Sequence, residues 1–491
     1  MSGLTYHSSP VKTDNKGNGL ILLAVLGGMF LAMLDQTIVG TALPRITSEL
    51  GGSALYTWVV TAYLLTSTVT VPLYGRLSDQ HGRKPLLLIG MVVFVAGSAL
   101  CGAAQDMGQL IAFRALQGLG AGALLPLSIA LVMEMFPPGQ NGARVQGALG
   151  GVMGLTYLAG PFLGGVFTDH ASWRWAFYVN VPLGIALVAI IVSRLPHRPG
   201  TGGGRPDYAG IAVFTVAVSA LLLGLTEKGL DGHTWTDLPV AGPILLALAL
   251  LAVFVAVERR AASPIMPLGL FANRGYTLVN VISFCTAFSM YAGVVFLPRY
   301  FQEALGAGAT ESGLRIYPMM LGMVAGSVLM GALMSRTRRY KPWLLASPFL
   351  LVAGSLACSG LAVDSGGLAV ALWMLPLGLG VGPMLSGLTV VAQQSVEPQY
   401  IGTASANLTF FRQIGGSVAL AVGGTLYTSE VAATAPVHGL AAAHASAASV
   451  VIPALGVAGA VIALVALVAL PNNRLRTPAT PQSKVEAGFA S

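Results

Sequence analysis

Charge is what this sequence has least of. Only 9% of its 491 residues are charged, against 55% hydrophobic, and the mean hydropathy is +0.75. A soluble chain of this length needs more charge to cover its surface, so this is an integral membrane protein. Strand-like alternation is also missing, and the apolar runs are about 20 residues long, which argues for a helical bundle and against a β-barrel. Cysteine is scarce: Cys101, Cys285 and Cys358 all lie in apolar runs with no CxxC spacing. A disulfide framework and a zinc site are therefore not expected, and no metal or cofactor is called for. A Walker A loop is absent, so ATP is not the energy source. No span carries HExxH, paired acids or a Ser/His/Asp set, and no ring of charge marks a pore, which argues against a membrane-embedded enzyme or channel.

What is there is a series of fourteen predicted spans, near 19–41, 55–75, 85–104, 108–132, 142–167, 174–194, 207–227, 238–258, 275–298, 311–335, 342–362, 367–391, 401–428 and 447–471. Residues 1–18 read as a retained cytoplasmic tail and 472–491 as a disordered one. With the N-terminus inside, Arg45, Arg174, Lys228, Arg299 and Arg315 are external, and Arg114 and Arg412 lie within spans. The remaining 19 of the 26 Lys and Arg are cytoplasmic. That bias places both termini in the cytoplasm. It also accounts for the net charge of +8 as topology anchors near anionic lipid, with no nucleic-acid partner. The six tryptophans fall near predicted membrane faces, as in an aromatic belt.

Two matches indicate an internal duplication. GLGAG at 118–122 recurs as GLGVG at 378–382, and GRLSDQHGRKP from Gly75 resembles GALMSRTRRYKP from Gly331 at nearly the same offset. The predicted organisation is an N-terminal six-helix half over 19–196, a cytoplasmic linker with two inserted helices over 197–260, and a C-terminal six-helix half over 261–471. Eight preceding helices give the second half the same orientation as the first, the parallel-repeat plan of transporters. The linker HRPGTGGGRP is basic and flexible in composition.

Against this background Asp35 stands out. It lies roughly 24 Å along the first span, within a hydrocarbon core about 30 Å thick, where a charge costs at least a few kcal/mol and by default marks a functional site. Arg114, on span four, lies at a similar depth below the outer surface, so the two can share a layer if their helices adjoin. Burial disfavours an ionised carboxylate and a neighbouring guanidinium favours it, opposing effects that make a carboxyl useful for proton coupling. A static buried pair is the alternative. Gln36, Gln117, Asn407, Arg412 and Gln413 are candidate cavity or substrate residues, although buried amides also serve as helix–helix glue. Arg412 lies near the midplane and either faces the cavity or bonds carbonyls structurally.

In the loop after span two, Gly75 and Gly82 permit a tight turn, while Asp79, Arg83 and Lys84, with Glu134 on span four, could latch a cytoplasmic gate. Small residues and Pro161 in span five permit close helix approach and a bend. Arg299 and Glu303 form either an i,i+4 pair or an outer gate. His438 and His444 fall in a predicted Ala-rich external loop, where solvated histidines are expected. Methionines read as core or lipid-facing filler.

GRLSDQHGRKP resembles the signature loop of the major facilitator superfamily. RALQG at 114–118 is similar to an element of that superfamily's drug exporters. Gly147, Gly160, Pro161, Gly164 and Gly165 resemble its antiporter motif, with Thr156 at one glycine position. LDQTIVGTALP at 34–44, with Gly40 where Asn is usual, WRWAFYVNVPLG at 173–184 and NLTFFRQIGGS at 407–417 resemble the fourteen-helix drug:proton antiporters. The resemblance implies an all-α major facilitator fold of 6+2+6 helices in a bacterial plasma membrane. It implies a monomeric multidrug or antibiotic exporter driven by the proton gradient, with Asp35 and Arg114 in proton coupling. A nutrient symporter of the same fold is the alternative, and the antiporter motif argues against it. Spans nine to fourteen contain no deep acid, since Glu303 and Glu311 sit at the outer edge. The expected substrates are therefore hydrophobic and neutral, zwitterionic or weakly anionic, with dicationic biocides disfavoured.

Overall fold

A computed structural model describes residues 15–52, 55–135, 142–197, 207–228, 233–261, 266–397 and 400–471. The predicted C-terminal tail, residues 1–14 of the predicted N-terminal tail and almost all of the basic linker lie outside these residues; Asn15–Asn18, predicted as tail, already belong to the first helix.

The described chain is helical throughout, because a backbone in hydrocarbon must satisfy its hydrogen bonds within each segment. Helices α1 to α5 are Asn15–Leu50, Tyr56–His81, Arg83–Ala103, Met107–Met135 and Gly142–His170. Helix α6 is in two pieces, Trp175–Tyr178 and Asn180–Arg194; α7 is Tyr208–Lys228 and α8 Leu238–Glu258. Helix α9 begins as Arg274–Tyr291 and continues through Ala304, and α10 comprises Ala309–Arg315 and Tyr317–Thr337. Helices α11 to α14 are Lys341–Ala357, Gly367–Gln394, Ile401–His438 and Leu440–Ala469. Eleven helical stretches among the described residues are long and apolar enough to span a membrane; α2, α5 and α13 have the length but carry more Thr, Ser and Gly.

Three local departures from the sequence expectation have physical causes. The Ala-rich segment before 447 is helical, not a loop: alanine is the strongest helix former, and α13 and α14 meet directly at Gly439, whose φ of 82° breaks the helix. Helix α9 carries π turns over Ala292–Phe296 and Tyr300–Ala304, on either side of Pro298, which has no N–H to donate. Trp173 is 1% exposed and donates from Nε1 to Glu49 Oε2 at 2.8 Å, so it belongs to the interior and not to an interfacial belt.

The repeated glycine element makes the same junction twice. A Cβ on Gly118 or Gly122 of α4 would collide with Tyr63, Thr66, Ser67 and Thr70 of α2, and one on Gly120 with Phe94 of α3. Likewise Gly378 and Gly382 of α12 meet Met319, Met323 and Ser327 of α10, and Gly380 meets Leu351 of α11. The second repeated element behaves alike. Lys84 Nζ donates to the carbonyls of Val192 and Leu195 at the end of α6, and Lys341 Nζ to those of Val468 and Leu470 at the end of α14. Both lysines satisfy orphan C-terminal carbonyls and complement the helix dipole.

Helices α7 and α8 pack together across the seam between α2 and α13. Phe214 of α7 lies 5.1 Å from the rings of both Phe254 of α8 and Phe410 of α13, and the same apolar cluster includes Val69 of α2. Lys84, Arg194 and Lys341 mark one end of the bundle, called here the basic end; α1 ends and α2 begins at the opposite, far end.

Candidate functional site

Asp35 is completely buried on α1 and is held by side chains from α4 and α6. Arg114 Nη1 donates to its Oδ2 at 2.5 Å, Gln117 Nε2 to its Oδ1 at 2.7 Å, and Asn180 Nδ2 to the same Oδ1 at 3.2 Å. Spacing explains the first two: residues three apart on a helix share a face, so Arg114 and Gln117 reach one carboxylate. The cage is closed further out. Arg114 Nη1 also donates to Gln117 Oε1, its Nε donates to the Val59 carbonyl, and its guanidinium lies 4.2 Å from the Tyr63 ring centre. Asn180 Nδ2 also donates to Ser98 Oγ at 3.0 Å, and Ser98 donates to the Phe177 carbonyl. Every charge and nearly every polar atom here has a partner; Asn180 Oδ1 is the buried exception in this group.

Beside the cage is a cavity of about 50 Å³, lined among others by Gln36, Gly40, Arg114, Tyr157, Met290 and Tyr291. Gln36 is therefore at the cavity and Gln117 in the cage. Asn407 is elsewhere: its Nδ2 donates to the Tyr276 hydroxyl at 2.8 Å, a bond between α13 and α9. Gln413 accepts from Thr68 Oγ1 at 3.0 Å and ties α13 to α2. Arg412 is half-buried on α13, and its charge acts on both Tyr157 and Tyr291.

Helix α5 joins α1 to α10. A Cβ on Gly160 would overlap Thr37, and one on Gly164 would overlap Thr41 and Ile38, both on α1 just beyond Asp35. On its other side Gly165 abuts Ala309 and Thr310, while the Pro161 carbonyl lies against Gly313 of α10. Asp169 then accepts from the N–H groups of Ala309 and Thr310 at 3.0 and 2.6 Å, and Gln302 of α9 donates to the Thr41 carbonyl at 2.9 Å. The far end is thus closed by direct contact between early and late helices. Gly147 lies near the start of α5, and its surroundings fall outside the described residues.

At the basic end, Gly82 has φ 90° and makes the turn from α2 to α3. Arg83 Nη1 donates to the Ala130 carbonyl of α4 at 2.6 Å, and no Cβ contact constrains Gly75. The side chains of Asp79 and Glu134 lie outside the described residues.

At the far end, Arg299 Nε donates to Glu303 Oε2 at 2.8 Å, but the pair is not an isolated surface contact. Arg299 is 6% exposed, lies over the rings of Tyr427 and Tyr56, and shares Glu303 with His444 at 2.9 Å. His444 is therefore packed among charged and aromatic groups and is not simply solvated, because it lies on the face of α14 turned toward Glu303 and Tyr427; His438, also helical, is exposed. Sequence reasoning missed Asn180, Tyr63, Asp169 and His444. Asn180 had a legible signal, a lone amide in an apolar run, whereas Asp169 meets Ala309 and Thr310, and His444 meets Glu303, across more than 100 residues of sequence.

The profile of the Major Facilitator Superfamily matches residues 25–420. The chain is 37% identical over 407 residues to "Multidrug transporter protein MdtP" of Bacillus subtilis, covering 83% of this chain and 75% of that protein. It is 33% identical over 413 residues to "Multidrug resistance protein 3" of the same organism, covering 83% and 79%. An "Uncharacterized MFS-type transporter" of Mycobacterium tuberculosis is 38% identical over 421 residues, 86% of this chain but 60% of that longer protein. In fold, the chain resembles the crystal structure of a bacterial homologue of the human lysosomal transporter Spinster in an inward-facing, unoccupied conformation. The TM-score is 0.64 at 15% identity, with 93% and 96% of the two chains covered.

Proposed function

The chain belongs to the major facilitator superfamily, a family of membrane transporters, and from that premise we propose that it is a proton-coupled antiporter exporting hydrophobic drugs, antibiotics or similar small molecules. The observation that carries the reading is Asp35: fully buried, held by three side-chain donors and adjoining a cavity between early and late helices. The multidrug and efflux names of its relatives support export.

In this reading fourteen helices form two six-helix halves around the inserted α7–α8 pair, in a bacterial plasma membrane with both termini cytoplasmic. The twice-made glycine junction and the paired Lys84 and Lys341 caps support the duplication, and the clustering of Lys and Arg at the basic end supports the orientation. With the far end sealed through α5 and α10, substrate enters from the basic, cytoplasmic side. The seal then opens, a proton reaches Asp35 from outside, and its arrival removes the charge that holds Arg114, Gln117 and Asn180. Arg114 keeps Gln117 Oε1 and the Val59 carbonyl, so the cage loosens without stranding the guanidinium. Proton and substrate must favour different states, because a ligand with equal affinity for both shifts nothing. The protein works as a monomer in lipid, with protons and a small hydrophobic molecule as its partners and no cofactor.

The test is transport by the purified protein in liposomes under an imposed pH gradient. Wild type should move a hydrophobic dye against the proton flow, and Asp35→Asn should remain folded and lose the response to the gradient. Dye moving with the protons, or coupling retained in Asp35→Asn, would overturn the proposal.

A further inference from the structure

Arg412 is the charge that the proton-coupling site leaves unused. It stands on α13 near the middle of the span, where a charge costs at least a few kcal/mol and by default marks a functional site. The Asp35 carboxylate cannot serve it, since Arg114 already occupies that group. Among the described residues no carboxylate forms an ion pair with Arg412, and the later spans contain no deep acid to do so. Its surroundings are instead phenolic. Gly416, one turn further along α13, lies against the Tyr291 ring so closely that a Cβ would overlap it, which fixes that face of α13 toward Tyr291. Tyr291 and Tyr157 both line the cavity beside Asp35, and Arg412 stands near both, just behind the lining.

Resting on the antiporter reading above, we propose that Arg412, with Tyr157 and Tyr291, is the recognition site for the negative charge of a weakly acidic, otherwise apolar substrate. A guanidinium offers a planar fork of donors that matches a carboxylate bidentately, and phenol hydroxyls can add further donors. With Asp35 ionised and paired to Arg114, the centre carries the formal charge of Arg412 alone, so a monoanion neutralises it and a cation is repelled. Tyr157 belongs to α5 and Tyr291 to α9, so an anion held here touches both sides of the seam that must part during transport. The present cavity of about 50 Å³ is far below the roughly 300–1,000 Å³ of drug-sized sites, so the site admits substrate only as the halves move apart.

The experiment is equilibrium binding to the full-length purified protein near neutral pH, without any gradient, using pyrene-butyrate, its primary amide and pyrene-butylamine. Wild type should bind the carboxylate roughly tenfold or more tighter than the amide, as a hydrogen bond to a charged group implies, with the amine weakest. Arg412→Gln should abolish that preference, bringing carboxylate affinity down to about that of the amide, while Arg412→Lys, a point charge without the fork, should keep part of it. Equal affinity of wild type for carboxylate and amide, or an undiminished preference in Arg412→Gln, overturns the proposal. If Arg412→Gln does not fold, the wild-type series and Arg412→Lys decide it alone. Because binding is read without a gradient, failure here is separable from failure of proton coupling, which Asp35→Asn tests in liposomes.

Discussion

Replacing Arg114 by Gln strands a buried carboxylate. The substitution removes the 2.5 Å bond to Asp35, the bond to the Val59 carbonyl and the stacking on Tyr63, and the shorter amide cannot restore all three. Breaking one partner out of a buried ion pair costs about 3–5 kcal/mol, because the remaining charge loses its compensation. Asp35→Asn alone should cost less: it keeps the shape, and Arg114 retains Gln117 Oε1 and the Val59 carbonyl. The double variant, with neither charge, should be more stable than Arg114→Gln alone, so the cycle is strongly non-additive. Cys101, Cys285 and Cys358 are all free and buried, so a thiol-reactive fluorogenic dye reports unfolding directly during a thermal ramp. Arg114→Gln should melt several degrees below wild type, and adding Asp35→Asn should restore much of the loss. An unchanged melting point for Arg114→Gln, or simple additivity in the double variant, would refute the view that the cage is an electrostatic unit.

Three further outcomes are expected. Gly164→Val places methyl groups against Ile38 and Thr41, so it should destabilise by about 1–3 kcal/mol and reduce transport more than a similar change at the unconstrained Gly75, read by the same dye and by efflux. Burial pushes the Asp169 carboxyl up, but hydrogen bonds from Thr310 and Ala309 outweigh it and hold the group below the ordinary carboxylate range. A lowered folded value means its contribution to the closed far end is present above the ordinary range and lost as pH falls through the lowered value. Asp169→Asn should mimic the acid state at neutral pH, and faster maleimide labelling of a Leu305→Cys reporter checks this. Glu303→Gln should loosen the cluster of Arg299, His444, Tyr56 and Tyr427 and speed the same labelling, whereas a bare i,i+4 surface pair would leave it unchanged.

How far the sequence can be read depends on whether a feature is set by local periodicity or by distant partners. Counting residues at a helical rise put Asp35 and Arg114 at one depth, and they touch, because depth along a straight helix is a local quantity. The glycine repeats likewise lie at equivalent junctions, since a residue that only fits without a Cβ constrains its neighbour wherever the element recurs. Asn180 was hidden within an apolar segment whose break falls at Val179, and the bond that gives it meaning comes from α1. His444 was misread because a run of alanines was taken for a loop when its propensity favours helix. The π turns of α9 flank Pro298, and the first lays Val294 against Gly40 of α1; no period in the sequence announces them.

If Asp35 takes up the proton as proposed, α1 offers a path from it to the far-end seal. From Asp35 to Thr41 is six residues, about 9 Å along the helix, and over that distance Thr37 and Thr41 rest on Gly160 and Gly164 of α5. Helix α5 then bears on Thr310 and Gly313 of α10 with its opposite side. Neither contact has side-chain slack: glycine faces side chain or backbone at each step, so a tilt of α1 is passed on and not absorbed. The inserted pair sits differently, with Phe214 against Phe410 of α13 and near Val69 of α2, a contact of interchangeable apolar surfaces without hydrogen bonds between the rings. At the far end this contact is pinned by Thr425 of α13, whose Oγ1 donates to the Lys228 carbonyl of α7 at 2.9 Å. On the antiporter proposal, stiff contacts at the far end would read out the charge of Asp35, while α7 and α8 would cover the seam that opens.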